Sequence, residues 1–161
     1  MTPRYARAPR GQRAHGRVPH NWGDNITLVA TLTPTGPGPA MTLAGALDGP
    51  AFLAYVRELL LPTLAPGQTL VLDNLAVHHR AAVRRLVEAR GCRLLFLPPY
   101  SPDYNPIELA FAKLKTALRR AAARTRVDLE AAMAAALDAF TPAEAANWFR
   151  HCGYHLPGQP L

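Results

Sequence analysis

Acidic residues, cysteines and long apolar runs are all scarce in this 161-residue chain, and each shortage closes off a class of protein. Two cysteines, Cys92 and Cys152, are too few and too far apart for a disulfide framework or a zinc knuckle, so both are expected as reduced core residues. No stretch approaches the ~18 consecutive apolar residues of a membrane span. The first twenty residues, MTPRYARAPRGQRAHGRVPH, are basic and lack the apolar segment of an export signal. A soluble, cytoplasmic protein with no membrane partner is the expectation. Eleven Asp and Glu stand against eighteen Lys and Arg, a formal charge of +7. That balance makes a polyanion the natural partner, nucleic acid first, beside the plainer reading of a soluble protein that is merely basic.

What is present fits one globular domain spanning residues 1–161, since 49% of the chain is apolar and only 18% charged. Residues 1–20 carry five arginines, Arg4, Arg7, Arg10, Arg13 and Arg17, with almost nothing to bury. They read either as a basic arm that lies along phosphates, with Arg10 and Arg13 as contacts, or as a solvated tail. From residue 25 the pattern changes. NITLVATLT (25–33) and AMTLAGAL (40–47) are apolar and β-branched, with turn chemistry, PTGPGP, between them, so two antiparallel strands are expected. Phe52, Tyr55, Val56, Leu59 and Leu60 follow at helical spacing, with Asp48 as turn or cap.

The stretch TLVLDNLAVHH (69–79) is an apolar strand that ends on an acid. A helix is expected from about Ala76 to Arg90, and RLLFLPP (93–99) is a second short strand, so strand, helix and strand form a parallel crossover unit. Three helices, roughly 106–123, 128–140 and 142–151, complete a layered α/β domain. The last two present a short helix-turn-helix outline. Leu129, Ala132, Met133, Ala136, Leu137 and Phe140, however, read as a packing face rather than a DNA-reading one.

In open α/β sheets ligands gather beyond the carboxyl ends of strands, where Asp73 sits. An acid there needs a compensating backbone donor, cation or metal. Asn74 is placed to cap the next helix. In FLPPYSPDYNPIELAFAKLK (96–115), Asn105 and Pro106 are a helix start, and Glu108 falls at the third helical position, where a capping box puts its acid. Lys113, Lys115, Arg119 and Arg120 are on the side available to solvent or phosphate. His78 and His79 do not make a zinc site, because adjacent positions diverge and no third soft ligand is near.

LDNLAVHH, FLPPYSPDYNPIE, the lysine pair of FAKLK and the tail NWFRHCGY together resemble the catalytic domain of DDE transposases, in the mariner-type group and its bacterial insertion-sequence branch. The resemblance covers most of the chain. It implies a ribonuclease-H-like mixed sheet flanked by helices, in which three carboxylates bind two Mg2+ or Mn2+ ions, with the second acid on Asp73 and the third on Glu108. His78 matches a histidine found after the family's second acid and takes a supporting role, with Asn74 and Asn105 at the rim. DNA, as transposon ends and target, is the implied partner, and a homodimer the implied assembly. The implied activity is metal-dependent strand cleavage and strand transfer.

The family's first acid has no counterpart here. It lies on a strand upstream of a segment resembling APRGQRA, which begins at Ala8 behind seven residues with no acid among them. Asp24 matches no catalytic position. A fragment without its first strand is therefore expected, whether a frameshift product, a decayed copy or a misassigned start. Its alternative role is an inactive DNA-binding remnant or accessory protein.

Overall fold

The computed structural model describes residues 7–13 and 25–155. Strands β1 (Ile26–Thr33) and β2 (Gly36–Ala44) form an antiparallel hairpin closed by Pro34 and Thr35. The turn is shorter than PTGPGP suggested. Pro37 and Pro39 lie inside β2, which among the described residues pairs only with β1, and an edge strand tolerates residues that cannot donate to a ladder. The register slips between Ala30 and Leu32, opposite Gly38, where an added Cβ would stand 3.3 Å from that of Thr31. Tyr55 latches this irregularity: its Oη bonds Thr31 Oγ1 at 2.6 Å and donates to the Pro39 carbonyl at 2.7 Å. Burial pushes the Tyr55 phenol pKa up.

Helix α1 (Gly49–Ala54) begins where Asp48 Oδ1 accepts from Ala51 N at 2.8 Å, the capping role expected of that acid. It passes into a π-helical turn (Tyr55–Leu60) and a 3-10 turn (Leu61–Thr63). Strand β3 (Thr69–Leu72), helix α2 (Ala81–Ala89) and strand β4 (Arg93–Phe96) are the parallel unit, in register from Thr69 opposite Arg93 to Leu72 opposite Phe96. Helices α3 (Pro106–Ala121), α4 (Arg126–Asp138) and α5 (Pro142–His151) follow.

The mixed α/β architecture is thus as expected, with its strands divided among the described residues into two two-stranded sheets, β1–β2 and β3–β4. Side chains rather than ladder bonds join them. Val29 of β1 and Leu70 of β3 lie in one cluster with Phe52, Tyr55, Val56, Leu60, Val83, Val87 and Cys92. Because side chains alternate along a strand, Ile26, Leu28 and Leu32 of β1 face the other way, onto a second cluster built on Ala110, Leu114, Leu118, Met133, Ala136 and Phe140. β1 is therefore covered on both faces. Helix α4 packs against α3 through the apolar face read from its sequence, which bears out core packing over a DNA-reading pair of helices. Cys92 and Cys152 are both buried free thiols. No helix among the described residues is long and apolar enough to cross a membrane.

Candidate active site

β3 delivers Asp73 just past its last ladder residue. The following chain does not enter the helix at once. Ala76–His78 form a 3-10 turn with Leu75 before it, and α2 starts only at Ala81 with Arg80 at its N-cap. Two expectations are corrected here: the helix does not begin near Ala76, and Asn74 does not cap it. The physical reason is visible in the turn. It swings His78 back so that Nδ1 lies 2.6 Å from Asp73 Oδ1 and 3.4 Å from the Asp73 carbonyl, and it turns Asn74 Oδ1 onto His79 Nε2. A helix running from Ala76 would carry both imidazoles away from the strand end.

Asp73 Oδ1 also accepts from the Leu75 amide at 3.1 Å, so one oxygen of the carboxylate is held from two directions. Oδ2 has no hydrogen bond among the described residues. The Asp73 side chain keeps 36% exposure while His78 keeps 14%, its ring tilted over Phe52 at 4.4 Å between centroids. His79, on the exposed side, stacks on Phe96 at 4.1 Å and 15°. Arg84 lies 5.8 Å from the centroid of the Phe96 ring. Neither ring platform was visible in the sequence reading, because Phe52 and Phe96 come from separate elements. The only local signal was their aromatic character within apolar runs.

Leu97 N donates to Leu72 O at 2.8 Å, so the chain leaves β4 directly beside the end of β3. The proline segment then passes through a 3-10 turn, Pro102–Tyr104, and enters α3 at Pro106 with Asn105 as N-cap residue. Asn105 makes no side-chain cap hydrogen bond, so the capping box expected around Glu108 does not form. The Glu108 carboxylate is exposed and has no hydrogen bond or ion pair among the described residues, although its amide donates to the Asn105 carbonyl at 3.1 Å. A negative charge in the first turn suits the positive end of the helix dipole, but it leaves the carboxylate oxygens open.

The structure therefore joins Asp73 with His78, and Asn74 with His79. It makes no direct bond between either pair and Asn105 or Glu108. Among the described residues no three His, Cys, Asp or Glu side chains are grouped to hold a metal ion. Asp24 lies outside the described residues.

The tail NWFRHCGY acts on this region from below. Tyr154 Oη donates to the Tyr104 carbonyl at 2.9 Å and its ring meets Phe149 edge-on at 5.5 Å, so the end of α5 steadies the loop that enters α3. Trp148 packs edge-on against Phe140 at 5.2 Å.

The cations divide. Arg10 and Arg13 are exposed on the short described piece of the N-terminal arm, and Lys115 is exposed on α3. Lys113, expected to face solvent or phosphate, instead holds Glu144 with Nζ at 2.6 and 2.7 Å and donates to the Ala139 carbonyl at 3.3 Å. Its ammonium also lies 5.0 Å from the Phe140 ring centroid. The bond from Lys113, helped by the Thr141 amide, holds the Glu144 pKa down at about 2.

The sequence profile of the DDE superfamily endonuclease family matches residues 1–130. No curated protein matches. Among solved structures the chain is similar to the Mos1 strand transfer complex, at a TM-score of 0.72 and 16% identity over 94% of this chain and 47% of that one. It is also similar to the Mos1 mariner paired end complex with Mn, at 0.70 and 18% identity over 91% of this chain and 46% of that one. A pre-cleavage Mos1 transpososome matches at 0.68 and 15% identity. The chain spans about half the length of the chains it matches.

Proposed function

Because this chain belongs to the DDE superfamily of endonucleases, we propose that it serves metal-dependent DNA strand cleavage and strand transfer in transposition, through Asp73 and Glu108. The observation that carries this reading is the state of the two carboxylates. Glu108 stands at a helix start with its oxygens unpartnered, and Asp73 stands at a strand end with Oδ1 fixed and Oδ2 open. Oxygen donors of this kind suit hard divalent ions, Mg2+ or Mn2+. Such a pair, when bound, lowers the pKa of an attacking hydroxyl or water and stabilises the leaving oxygen of a phosphodiester.

The geometry supports a role for each of the chain's own residues in this reading. His78, pressed on Phe52, holds Asp73 in one rotamer, so the free oxygen keeps one direction. Asn74 is occupied by His79 and shapes the rim. Asn105 and the prolines before it fix where α3, and hence Glu108, begins. The reading calls for a further carboxylate from outside the described residues. Arg10, Arg13 and Lys115 are the proposed phosphate contacts, and transposon ends and target DNA the proposed partners, engaged by a homodimer. Lys113 contributes to packing instead.

The test is nicking of supercoiled plasmid in Mn2+ or Mg2+ by the chain joined to an upstream segment that supplies the further carboxylate. Cleavage should vanish on chelation and in both Asp73→Asn and Glu108→Gln. Cleavage that survives in either variant contradicts the assignment. A second reading, DNA binding without cutting, is favoured by the charge of +7 together with the lack of a three-acid group among the described residues. It predicts salt-dependent DNA affinity with no metal-dependent product.

A further inference from the structure

Two non-glycine residues among those described have positive φ, Tyr100 at 56° and Ala122 at 48°. Ala122 is explained by its place: it closes α3 as a left-handed cap whose amide donates to Leu118 O. Tyr100 closes no helix. It holds a backbone conformation that glycine adopts freely and a tyrosine rarely does, and the residue is 103% exposed, with no side-chain hydrogen bond or ring partner among the described residues. Neither burial nor bonding accounts for a large aromatic ring there. Pro98, Pro99 and Pro102 restrict the backbone on both sides, and Ser101 Oγ donates to the Pro99 carbonyl at 3.3 Å, so the ring stands on a constrained loop.

The position of that loop gives the ring a use. Leu97 is bonded to Leu72, Asp73 follows Leu72 by one residue, and Tyr100 follows Leu97 by three, a reach of at most ~10 Å. Four residues before Glu108 stands a second exposed aromatic, Tyr104 at 56%, on the turn whose carbonyl Tyr154 holds. Both tyrosines thus belong to the connection that runs from the end of the parallel strands to the candidate carboxylate on α3. A phenol ring offers flat π faces and one hydroxyl. Intact duplex DNA hides its base faces in the stack, whereas an unpaired or flipped base presents one.

We propose that Tyr100 is a stacking platform for an unpaired nucleobase beside the cleaved phosphate, with Tyr104 flanking it, so that the site prefers DNA that is frayed or single-stranded at the reacting position. This rests on the DNA-cleavage reading above and specifies the form of DNA the site takes. A constrained loop is what such a platform needs, since a backbone already restricted by its prolines loses little further freedom when a base settles on the ring.

The experiment is fluorescence anisotropy with the full chain and two labelled DNAs, a blunt duplex and the same duplex with a single-stranded overhang. The wild type is expected to bind the overhang more tightly. Tyr100→Ala should weaken overhang binding about tenfold while leaving the blunt duplex unchanged, and Tyr100→Phe should restore it, because stacking needs the ring and not the hydroxyl. Tyr100→Gly, which removes the backbone strain as well, should match Tyr100→Ala. Equal losses on both DNAs, or no loss on the overhang, overturn the stacking role while leaving DNA binding intact. A wild type that binds neither DNA overturns the functional reading itself, and this inference with it.

Discussion

Glu108 and Glu144 occupy the same position, third in their helices, and the residues around them decide opposite fates. Glu144 reaches back to the Thr141 amide and takes the Lys113 ammonium as well, so its charge is fully employed within the fold. Glu108 follows an Asn whose side chain does not cap, and among the described residues no cation pairs with it, so within them its carboxylate oxygens stay open. The sequence alone does not separate the two, since Asn-Pro-Ile-Glu and Thr-Pro-Ala-Glu satisfy the same pattern. The difference is tertiary, and Lys113 is its source. The pH dependence of stability follows. With the folded Glu144 pKa held at about 2 against an ordinary 4.5, its contribution is complete above about 4.5 and is lost as pH falls toward 2. Urea midpoints measured across that range should fall for the wild type and fall less for Glu144→Gln. Parallel curves would mean the ion pair does not act in solution.

At the scale of elements, helix starts were the weakest part of the sequence reading and strand cores the strongest. β1, β3 and β4 were legible because β-branched and apolar runs have few alternatives. Asp48 was legible as a cap because capping acts over three residues, and the start of α5 is closed by the same local chemistry in the Thr141–Glu144 box. Removing the latter with Thr141→Ala should cost about 1 kcal/mol, read as a lower urea midpoint, and an unchanged midpoint would assign the start of α5 to packing alone. The start of α2 was misread by five residues. Alanine and valine at 76 and 77 continue a helical pattern, and nothing local records that His78 is needed back at Asp73. Likewise Pro37 and Pro39 look like turn residues until β2 is seen, among the described residues, to be paired on one side only. In each case a long-range partner overrode a local preference.

For the whole molecule, β1 between two apolar clusters is the beam that fixes the rest. One cluster sets β3 and the π-helical segment beneath the Asp73 end, the other sets α3, α4 and α5. Candidate ligands from the two halves of the chain are thereby placed on separate packing units, Asp73 with the first and Glu108 with the second. That division leaves the two acids without a direct bond to one another, although the family resemblance implies that they share a site. The division of the strands into two small sheets was not legible, because strand pattern reports which segments extend and not which edges meet.

The claim on which the account depends is that Asp73 and Glu108 serve one metal-binding centre. Mn2+ titration of the full chain, followed by the loss of the free-ion EPR signal, tests it most directly. The account predicts saturable binding that Asp73→Asn and Glu108→Gln each weaken by about tenfold or more, with the double variant little worse than either, as expected for residues acting as a unit. Binding that is unchanged in Glu108→Gln, or losses that simply add, would contradict it.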